Sequence, residues 1–210
     1  MQNRKILVKQ DCITNPSHGC IPKDRSISQL LQSGVINVNK PKGPTSHEVS
    51  QYVKKILGVK KAGQSGTLDP AVTGVLPIGI NSATRSLQAL LKAGKEYVCV
   101  MHVHKEVSSD VIRAVCAKFV GTIKQLPPIK SAVKRQWRYR KIYYLDIIEI
   151  SGQDVLFKVG CQAGTYIRKL CSDIGDELGV GAHMAQLVRT QVGVFSDNSM
   201  VTLQDLSDAF

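Results

Sequence analysis

The sequence has 210 residues, 43% of them hydrophobic, which is enough to bury a core and argues against a disordered or fibrous protein. Its formal net charge of +12 favours a polyanionic partner, above all nucleic acid, although a basic solvated surface is the alternative. No unbroken apolar run reaches the roughly 18 residues of a membrane helix, and the N-terminus lacks the apolar segment of a signal peptide. We therefore expect a cytoplasmic protein with no membrane contact.

The first predicted elements follow a polar N-terminal stretch. Residues 1–33 contain scattered Pro and Gly and are interpreted as an N-terminal extension with one weak helix at 24–34. Residues 34–40, GVINVNK, alternate as a strand does. Thr45 and Glu48 then form a T-x-x-E capping box, which predicts the start of an amphipathic helix that a glycine ends.

Helical and strand patterns are mixed through the rest of the chain without a regular βαβ alternation. Helices are predicted at 82–94, 108–119, 165–179 and 181–190, and strands at 96–104, 120–125, 142–150 and 155–162. The basic, Pro-containing stretch 126–141 is predicted to be a mobile loop. The mixture favours an α+β fold with a mixed, largely antiparallel central sheet flanked by helices and loops, in one domain over 34–210.

Several common catalytic and cofactor motifs are absent from the sequence. None of the six cysteines lies in a C-x-x-C pair, so a zinc site is not expected. There is no P-loop, no H-E-x-x-H and no G-x-S-x-G, and GVGAHM lacks the third glycine of a dinucleotide fingerprint. His102 and His104 share one strand face, but two ligands do not make a metal site, and a role on the strand surface is favoured. We expect neither a metal nor another cofactor.

Asp69 lies in the glycine-rich stretch GQSGTLDPAVTG, between a leucine and a proline. Gly63 and Gly66 permit a tight backbone path, and Pro70 biases Asp69 towards an extended conformation. Such a carboxylate is either a plain Asp-Pro turn or helix cap, or a group that projects into a cleft. Tyr97, at the start of a predicted strand, and Arg168, at the start of a predicted helix, are each by themselves more typical of structural residues.

Six ordered segments of the sequence together resemble one known family. They are VINVNKPKGPTSHEV, SGTLDPAVTGVLP, ATRSLQALLKAGKEYV, PPIKSAVKRQWRYRKIYY, DVLFKVGCQAGTYIRKL and LGVGAHMAQLVRT. They look like the successive motifs of the TruB/dyskerin pseudouridine synthases, closest to the archaeal and eukaryotic dyskerin branch. The resemblance spans about residues 5–207 and implies the pseudouridine synthase catalytic fold.

The resemblance implies roles for three catalytic residues. Asp69 matches the catalytic aspartate, Tyr97 the tyrosine that stacks on the target base and takes part in proton transfer, and Arg168 the arginine that pairs with the aspartate. Pseudouridine formation breaks the bond between uracil N1 and the ribose, turns the base and rejoins it at C5. A carboxylate suits this chemistry by attacking the sugar carbon or by abstracting a ribose proton, and the sequence leaves both open.

Further positions follow from the same resemblance. Lys40 and Pro41 match the Lys-Pro motif that supports the active-site floor, and Leu187 matches an apolar residue lining the pocket. Gln64 stands where the family usually has His, which affects substrate positioning and pH response because glutamine does not titrate. Val188 stands where many members carry an arginine, which removes one possible phosphate contact.

The basic stretch 126–141 corresponds to the mobile thumb with which the family clamps RNA. Lys134, Arg135 and Arg138 alternate with aromatic residues in KRQWRYR, a composition that suits contact with the RNA backbone and stacking on bases. The alternative is a solvated loop with Trp137 pinned to the body of the protein.

Three functions remain open from the sequence. The first is the catalytic subunit of a box H/ACA particle that modifies rRNA or tRNA, with guide RNA and small particle proteins as partners. The second is a stand-alone tRNA pseudouridine synthase, and the third a catalytically silent RNA-binding or scaffold subunit. Members of the dyskerin branch continue into a PUA domain, and we expect this chain to lack one because it ends at Phe210.

Overall fold

The computed structural model describes residues 8, 10, 12, 13, 15, 17, 20–127 and 135–210. These residues form short α-helices, strands and single turns of 3-10 helix. The α-helices are α1 Ile27–Gln32, α2 Ser46–Ile56, α3 Leu87–Leu91, α4 Ser109–Lys118, α5 Ile167–Glu177 and α6 Leu203–Asp208. The strands are β1 Val35–Lys40, β2 Ala62–Gln64, β3 Thr73–Ile80, β4 Lys95–Val103, β5 Gly121–Gln125, β6 Arg138–Ser151, β7 Asp154–Cys161, β8 Ala182–Val192 and β9 Phe195–Ser196. The 3-10 turns are Pro22–Asp24, Asn81–Arg85 and Asp197–Ser199.

The strands join into one sheet in the order β1-β3-β8-β4-β7-β6-β5, with β2 paired to β3 and β9 to β8. The pairing of β3 with β8 is parallel, whereas the other neighbouring strands run antiparallel. The prediction of an α+β fold with a mixed, largely antiparallel sheet is therefore confirmed.

Two apolar clusters hold the sheet to its helices. On β4, side chains alternate between buried and half-buried positions, and the buried ones, such as Cys99 and Met101, pack against α4 and α5. The second cluster lies between α2 and the paired strands β1 and β3, around Val38, Val53 and Leu76. The β6–β7 hairpin predicted around residues 151–154 is also present.

The predicted capping box at the start of α2 is confirmed. The Thr45 hydroxyl accepts a hydrogen bond from the Glu48 N–H at 3.2 Å, and the Glu48 carboxylate accepts one from the Thr45 N–H at 2.7 Å. These bonds satisfy two backbone donors that the first helical turn otherwise leaves without partners. The same bonds hold the pKa of Glu48 below its usual value.

The helix predicted at 181–190 is wrong, because these residues belong to β8, between β3 and β4. A bulge at Ala185 shifts the register between Val100 and Met101. It places Met184 and Leu187, three residues apart, on the same face of the strand. That spacing imitates a helix in the sequence, and only the pairing with two neighbouring strands resolves it.

Two other predicted boundaries also change. The helix predicted at 82–94 is instead a 3-10 turn followed by the short helix α3, with the junction at Ser86, whose N–H donates to the carbonyl of Ala83. Of the predicted loop 126–141, residues 138–141 begin β6 and pair with β5. In the sequence, the positive charge of these residues favours a loop. In the structure, their side chains alternate between half-buried and exposed positions, as is typical of a strand.

Candidate active site

Asp69 lies in the loop between β2 and β3, and neighbouring elements fix the residues on both sides of it. Ser46, at the start of α2, is fully buried, and its hydroxyl donates to the Leu68 carbonyl at 3.2 Å and accepts from the Leu68 N–H at 2.8 Å. The Val72 N–H donates to the carbonyl of Asp69 itself. Gly66 adopts a φ of +104°, a conformation that favours glycine. The aspartate is therefore held on a rigid turn.

Lys40, at the end of β1, supports the same loop from below. Its ammonium group is fully buried and donates to three carbonyls, those of Pro41 at 2.9 Å, Pro70 at 3.1 Å and Val72 at 2.9 Å. Burial lowers the pKa of Lys40, and the negative charge of Asp69 opposes that shift. Lys40 thus faces the backbone of the Asp69 loop, whereas Pro41 is exposed at its edge.

Arg168 reaches the carboxylate of Asp69 from the first turn of α5. Its Nε lies 2.9 Å from Asp69 Oδ2, and the two side chains are 40% and 46% exposed, so the ion pair is open to a substrate. The start of α5 is held by Gln125, which is 2% exposed. The side-chain amide of Gln125 donates to the Tyr166 carbonyl at 3.2 Å and accepts from the Tyr166 N–H at 3.1 Å. No sequence pattern predicts the roles of Gln125 and Ser46.

Tyr97 packs in the same apolar cluster as Leu68 and Ile167, the chain neighbours of Asp69 and Arg168. It is 9% exposed and points to the core face of β4. Burial raises the pKa of its phenol, the positive charge of Arg189 opposes that rise, and the negative charge of Asp69 adds to it. Asp69 therefore lies within electrostatic range of Tyr97. Arg189 was not predicted as a site residue, because the helix assigned to 181–190 concealed its position opposite Tyr97.

The remaining predicted residues occupy different surroundings. Leu187 is half-buried and packs against the apolar cluster that contains Tyr97. Gln64, in β2, accepts a hydrogen bond from the Ser50 hydroxyl at 2.8 Å through its side-chain oxygen. Val188 points away from the core and is 39% exposed.

The predicted RNA-binding residues lie around the start of β6. Arg135 is exposed and Arg138 half-buried, while Lys134 lies outside the described residues. Trp137 is 59% exposed, and the ammonium of Lys124 lies 4.9 Å from the centre of its ring. The indole therefore keeps a free face although one cation covers part of it.

His102 and His104 lie on the sheet surface, as predicted, at the end of β4 remote from Tyr97. His104 Nε2 is 2.9 Å from His183 Nδ1, and His102 Nδ1 is 2.7 Å from Asp154 Oδ1.

Within the described ranges, no group of three or more His, Cys, Asp or Glu side chains is arranged to hold a metal ion. In that same part of the chain, no helix has the length and apolar character needed to cross a bilayer.

A half-exposed carboxylate paired with an arginine, within electrostatic range of a buried tyrosine, is suited to carboxylate-dependent transfer or isomerisation at a sugar carbon. The chain matches the TruB family pseudouridylate synthase N terminal domain over residues 54–167. It also matches the tRNA pseudouridylate synthase B C-terminal domain over 168–210 and the DKCLD (NUC011) domain over 1–50. The chain belongs to the TruB pseudouridylate synthase family.

Curated proteins of high sequence identity match nearly the whole chain. Proteins named probable tRNA pseudouridine synthase B from Methanopyrus kandleri and Pyrococcus abyssi are each 56% identical over 209 residues. The match covers 100% and 99% of this chain but 62% and 63% of those proteins, so the chain spans about three fifths of their length.

Solved structures show the same likeness. A chain in a Cbf5-Nop10-Gar1 complex is 55% identical with a TM-score of 0.91, and the match covers 95% of this chain and 61% of that one. A chain in an H/ACA RNP bound to a substrate RNA containing 2'-deoxyuridine is 50% identical with a TM-score of 0.86, over 95% and 60%.

Proposed function

We propose that this chain is the catalytic part of an RNA pseudouridine synthase, which isomerises a uridine to pseudouridine in rRNA or tRNA. The observation that supports this proposal most directly is the 2.9 Å ion pair of Asp69 and Arg168 beside the buried Tyr97. In this proposal residues 1–33 are the N-terminal extension, residues 34–210 the catalytic domain, and the location cytoplasmic, as the sequence predicts.

The reaction is an isomerisation in which the C1′–N1 bond breaks and a C1′–C5 bond forms. The proton lost from C5 is balanced by one gained at N1, so the reaction needs no oxidant or reductant. Asp69 either attacks C1′ or removes a ribose proton, and either role requires an ionised, oriented carboxylate. Arg168 supports both requirements because its guanidinium places a positive charge 2.9 Å from one carboxylate oxygen, which favours the ionised form and limits its orientation.

The target uridine must leave its stack to reach Asp69. An aromatic ring near the carboxylate offers the extruded base a surface for stacking, and in this proposal Tyr97 is that ring. Leu187 adds an apolar contact on the same face of the sheet. In this proposal Lys40 and Pro41 support the floor beneath Asp69, and Gln64 contributes to placing the substrate.

The residues around the start of β6 form the proposed RNA-binding surface. Arg135 and Arg138 offer guanidinium groups to phosphates, and the exposed face of Trp137 offers a stacking surface for an unpaired base. Lys134 belongs to the same proposed surface, although it lies outside the described residues.

We favour a guide-directed enzyme of the box H/ACA type, because two of the similar structures are a Cbf5-Nop10-Gar1 complex and an H/ACA RNP with substrate RNA. Its partners are then a guide RNA and small particle proteins. A stand-alone tRNA pseudouridine synthase is the second candidate, supported by the relatives named probable tRNA pseudouridine synthase B. The silent scaffold is disfavoured by the intact Asp69–Arg168 pair.

Replacement of the aspartate tests the proposed chemistry. Asp69→Asn should abolish pseudouridine formation, whereas Asp154→Asn should retain it. Asp154 is a matched control because it also pairs with a basic side chain, that of His102 at 2.7 Å, but it begins β7, beside the end of β4 remote from Tyr97. Pseudouridine is mapped by carbodiimide labelling and primer extension on unmodified tRNA and rRNA fragments. Equal product from the parent and Asp69→Asn proteins would reject the catalytic assignment.

The same assay separates the two enzymatic candidates. The chain is incubated with tRNA alone, and then with guide RNA and the small proteins that the guided enzyme requires. Product at the guide-specified uridine only in the second reaction is expected. Efficient tRNA modification by the chain alone would reject strict guide dependence in favour of the stand-alone enzyme.

A further inference from the structure

Arg189 is a buried charged residue that the proposed chemistry does not yet use. It is 1% exposed, and the register of the sheet places it opposite Tyr97, on the core side of β8. Its Nε donates to the Val75 carbonyl at 2.8 Å. Gly74 allows β3 to come this near, because a Cβ there would lie 2.2 Å from the Arg189 carbonyl oxygen.

The surroundings of Arg189 do not neutralise its charge. Among the described residues no carboxylate forms a salt bridge with it, and one terminal nitrogen of its guanidinium is buried without a hydrogen-bond partner. Its positive charge also contributes to lowering the pKa of two other buried cations, Lys40 and Lys95. An apolar side chain would avoid these costs, so packing alone does not account for an arginine here.

The phenol of Tyr97 is the functional group that Arg189 can serve. The guanidinium is planar, and its bond to Val75 fixes the plane, so the direction of its other donors is fixed as well. Arg189 stands opposite Tyr97 in the register of β4 and β8, and the positive charge of its guanidinium favours the ionised phenol. When the phenol oxygen accepts from the guanidinium, its own O–H must point elsewhere.

We propose that Arg189 is a positioning residue, which holds the ring and phenol oxygen of Tyr97 so that the O–H is directed to the cleft occupied by Asp69 and the substrate. Arg189 then acts through Tyr97 and contacts neither the base nor the ribose. The consequence for catalysis rests on the proposed function, whereas the contact itself does not.

The contact is tested without any assay of activity. Tyrosine labelled with ¹³C at Cζ is incorporated, and the Tyr97 resonance is identified by its loss in Tyr97→Phe. Arg189→Met should shift this resonance and move its titration to higher pH, and Arg189→Lys should have a smaller effect. Lys95→Met is the control, because the Lys95 ammonium donates to the carbonyls of Leu90, Leu91 and Ala93. An unchanged Tyr97 resonance in Arg189→Met would overturn the inference.

The catalytic consequence is tested by a double-mutant cycle on the single-turnover rate. Arg189→Met should lower the rate about tenfold to hundredfold, as loss of alignment in a site does, while the Kd for RNA changes less than about twofold. In the Tyr97→Phe background the same change should alter the rate less than about twofold, because the group through which Arg189 acts is gone. Arg189→Lys should recover part of the rate.

The outcomes of the cycle are distinguishable. Two results would overturn the inference in proteins that remain folded by circular dichroism. One is that the rate losses of Arg189→Met and Tyr97→Phe multiply in the double variant. The other is that Arg189→Met lowers the single-turnover rate no more than Lys95→Met does. Pseudouridine formation that does not depend on Asp69 contradicts the proposed function instead, and the Tyr97 resonance then still decides the role of Arg189.

Discussion

Lys40→Met separates a structural role of this lysine from direct substrate binding. Methionine keeps the apolar stem of the side chain but removes the ammonium group and its three hydrogen bonds. Since the ammonium is fully buried and faces the carbonyls of Pro41, Pro70 and Val72, we expect it to order the Asp69 loop without touching RNA.

The three carbonyls differ in what they lose. The Pro70 carbonyl keeps a hydrogen bond from the Gly43 N–H at 2.9 Å, and Pro41 is exposed, so its carbonyl regains water. The Val72 carbonyl takes part in a buried bond and is left without that partner. An unpaired buried acceptor costs about 1–3 kcal/mol. Because burial of the Lys40 charge has a cost of its own, shown by its lowered pKa, we expect a net loss of about 2 kcal/mol or less in the free energy of unfolding.

The effect on catalysis should be larger than the effect on binding. Asp69 directly precedes Pro70 and lies three residues before Val72, both of which Lys40 anchors. Displacement of a catalytic group by about 1 Å lowers rates on the order of a hundredfold. We therefore expect the single-turnover rate of pseudouridine formation to fall about tenfold to hundredfold. The RNA Kd and its dependence on salt should stay unchanged, since a lysine that contacts no phosphate releases no counterion.

The assays are urea unfolding, single-turnover kinetics and RNA binding measured from low to moderate salt. Lys42→Met is the matched control, because Lys42 follows Lys40 by two residues, in the connection between β1 and α2, but is exposed. The unfolding free energy of this variant should change by less than about 0.5 kcal/mol. A Lys40→Met protein with a normal rate but weaker RNA binding and a salt slope reduced by about one would refute the reasoning and make Lys40 a phosphate contact.

Three further changes test other parts of the structure. Neutralising Arg135 and Arg138 with serine should weaken RNA binding and reduce its salt slope by about two, and an unchanged slope in filter binding would remove the start of β6 from the RNA surface. Burial lowers the pKa of Lys95 from 10.5 to about 8. Between pH 8 and 10.5 the unfolded chain therefore binds more protons than the folded protein, so the free energy of unfolding should rise with pH across that range. Lys95→Met should remove this rise, which is at most about 3 kcal/mol in unfolding experiments at pH 8 and 10.5. Gln125→Leu should cost about 1–3 kcal/mol, speed hydrogen exchange at the Tyr166 amide and slow catalysis by loosening the start of α5; unaltered exchange at that amide would contradict the anchoring role.

Local patterns were the reliable part of the sequence. The Thr45–Glu48 capping box, the alternation in residues 96–104 and the amphipathic stripe of residues 165–179 each specify an element through contacts between near neighbours. Such contacts depend little on the rest of the fold, so the structure has α2, β4 and α5 where they were predicted, with small changes at the ends. The resemblance of the ordered motifs then brought Asp69, Tyr97 and Arg168 into one hypothesis.

β8 shows what local pattern cannot supply. A bulge at Ala185 gives it a three-residue spacing, and its identity as a strand depends on pairing with β3 and β4, which are far away in sequence. Because β8 was taken for a helix, Arg189 could not be placed opposite Tyr97. The same limit applies to the first residues of β6, whose charge resembles a loop until β5 pairs with them.

The sequence by itself determined the family, the fold class and the residue types of the site, because these depend on motifs and on hydrophobic periodicity. Only the tertiary structure decided how the site is held: the buried ammonium of Lys40 under the Asp69 loop, the hydroxyl of Ser46 on Leu68, the amide of Gln125 at the start of α5 and the guanidinium of Arg189 beside Tyr97. Each joins segments distant along the chain. Their partners are backbone groups or a buried phenol, whose positions no local sequence pattern encodes, because they are fixed only when the strands and helices pack together.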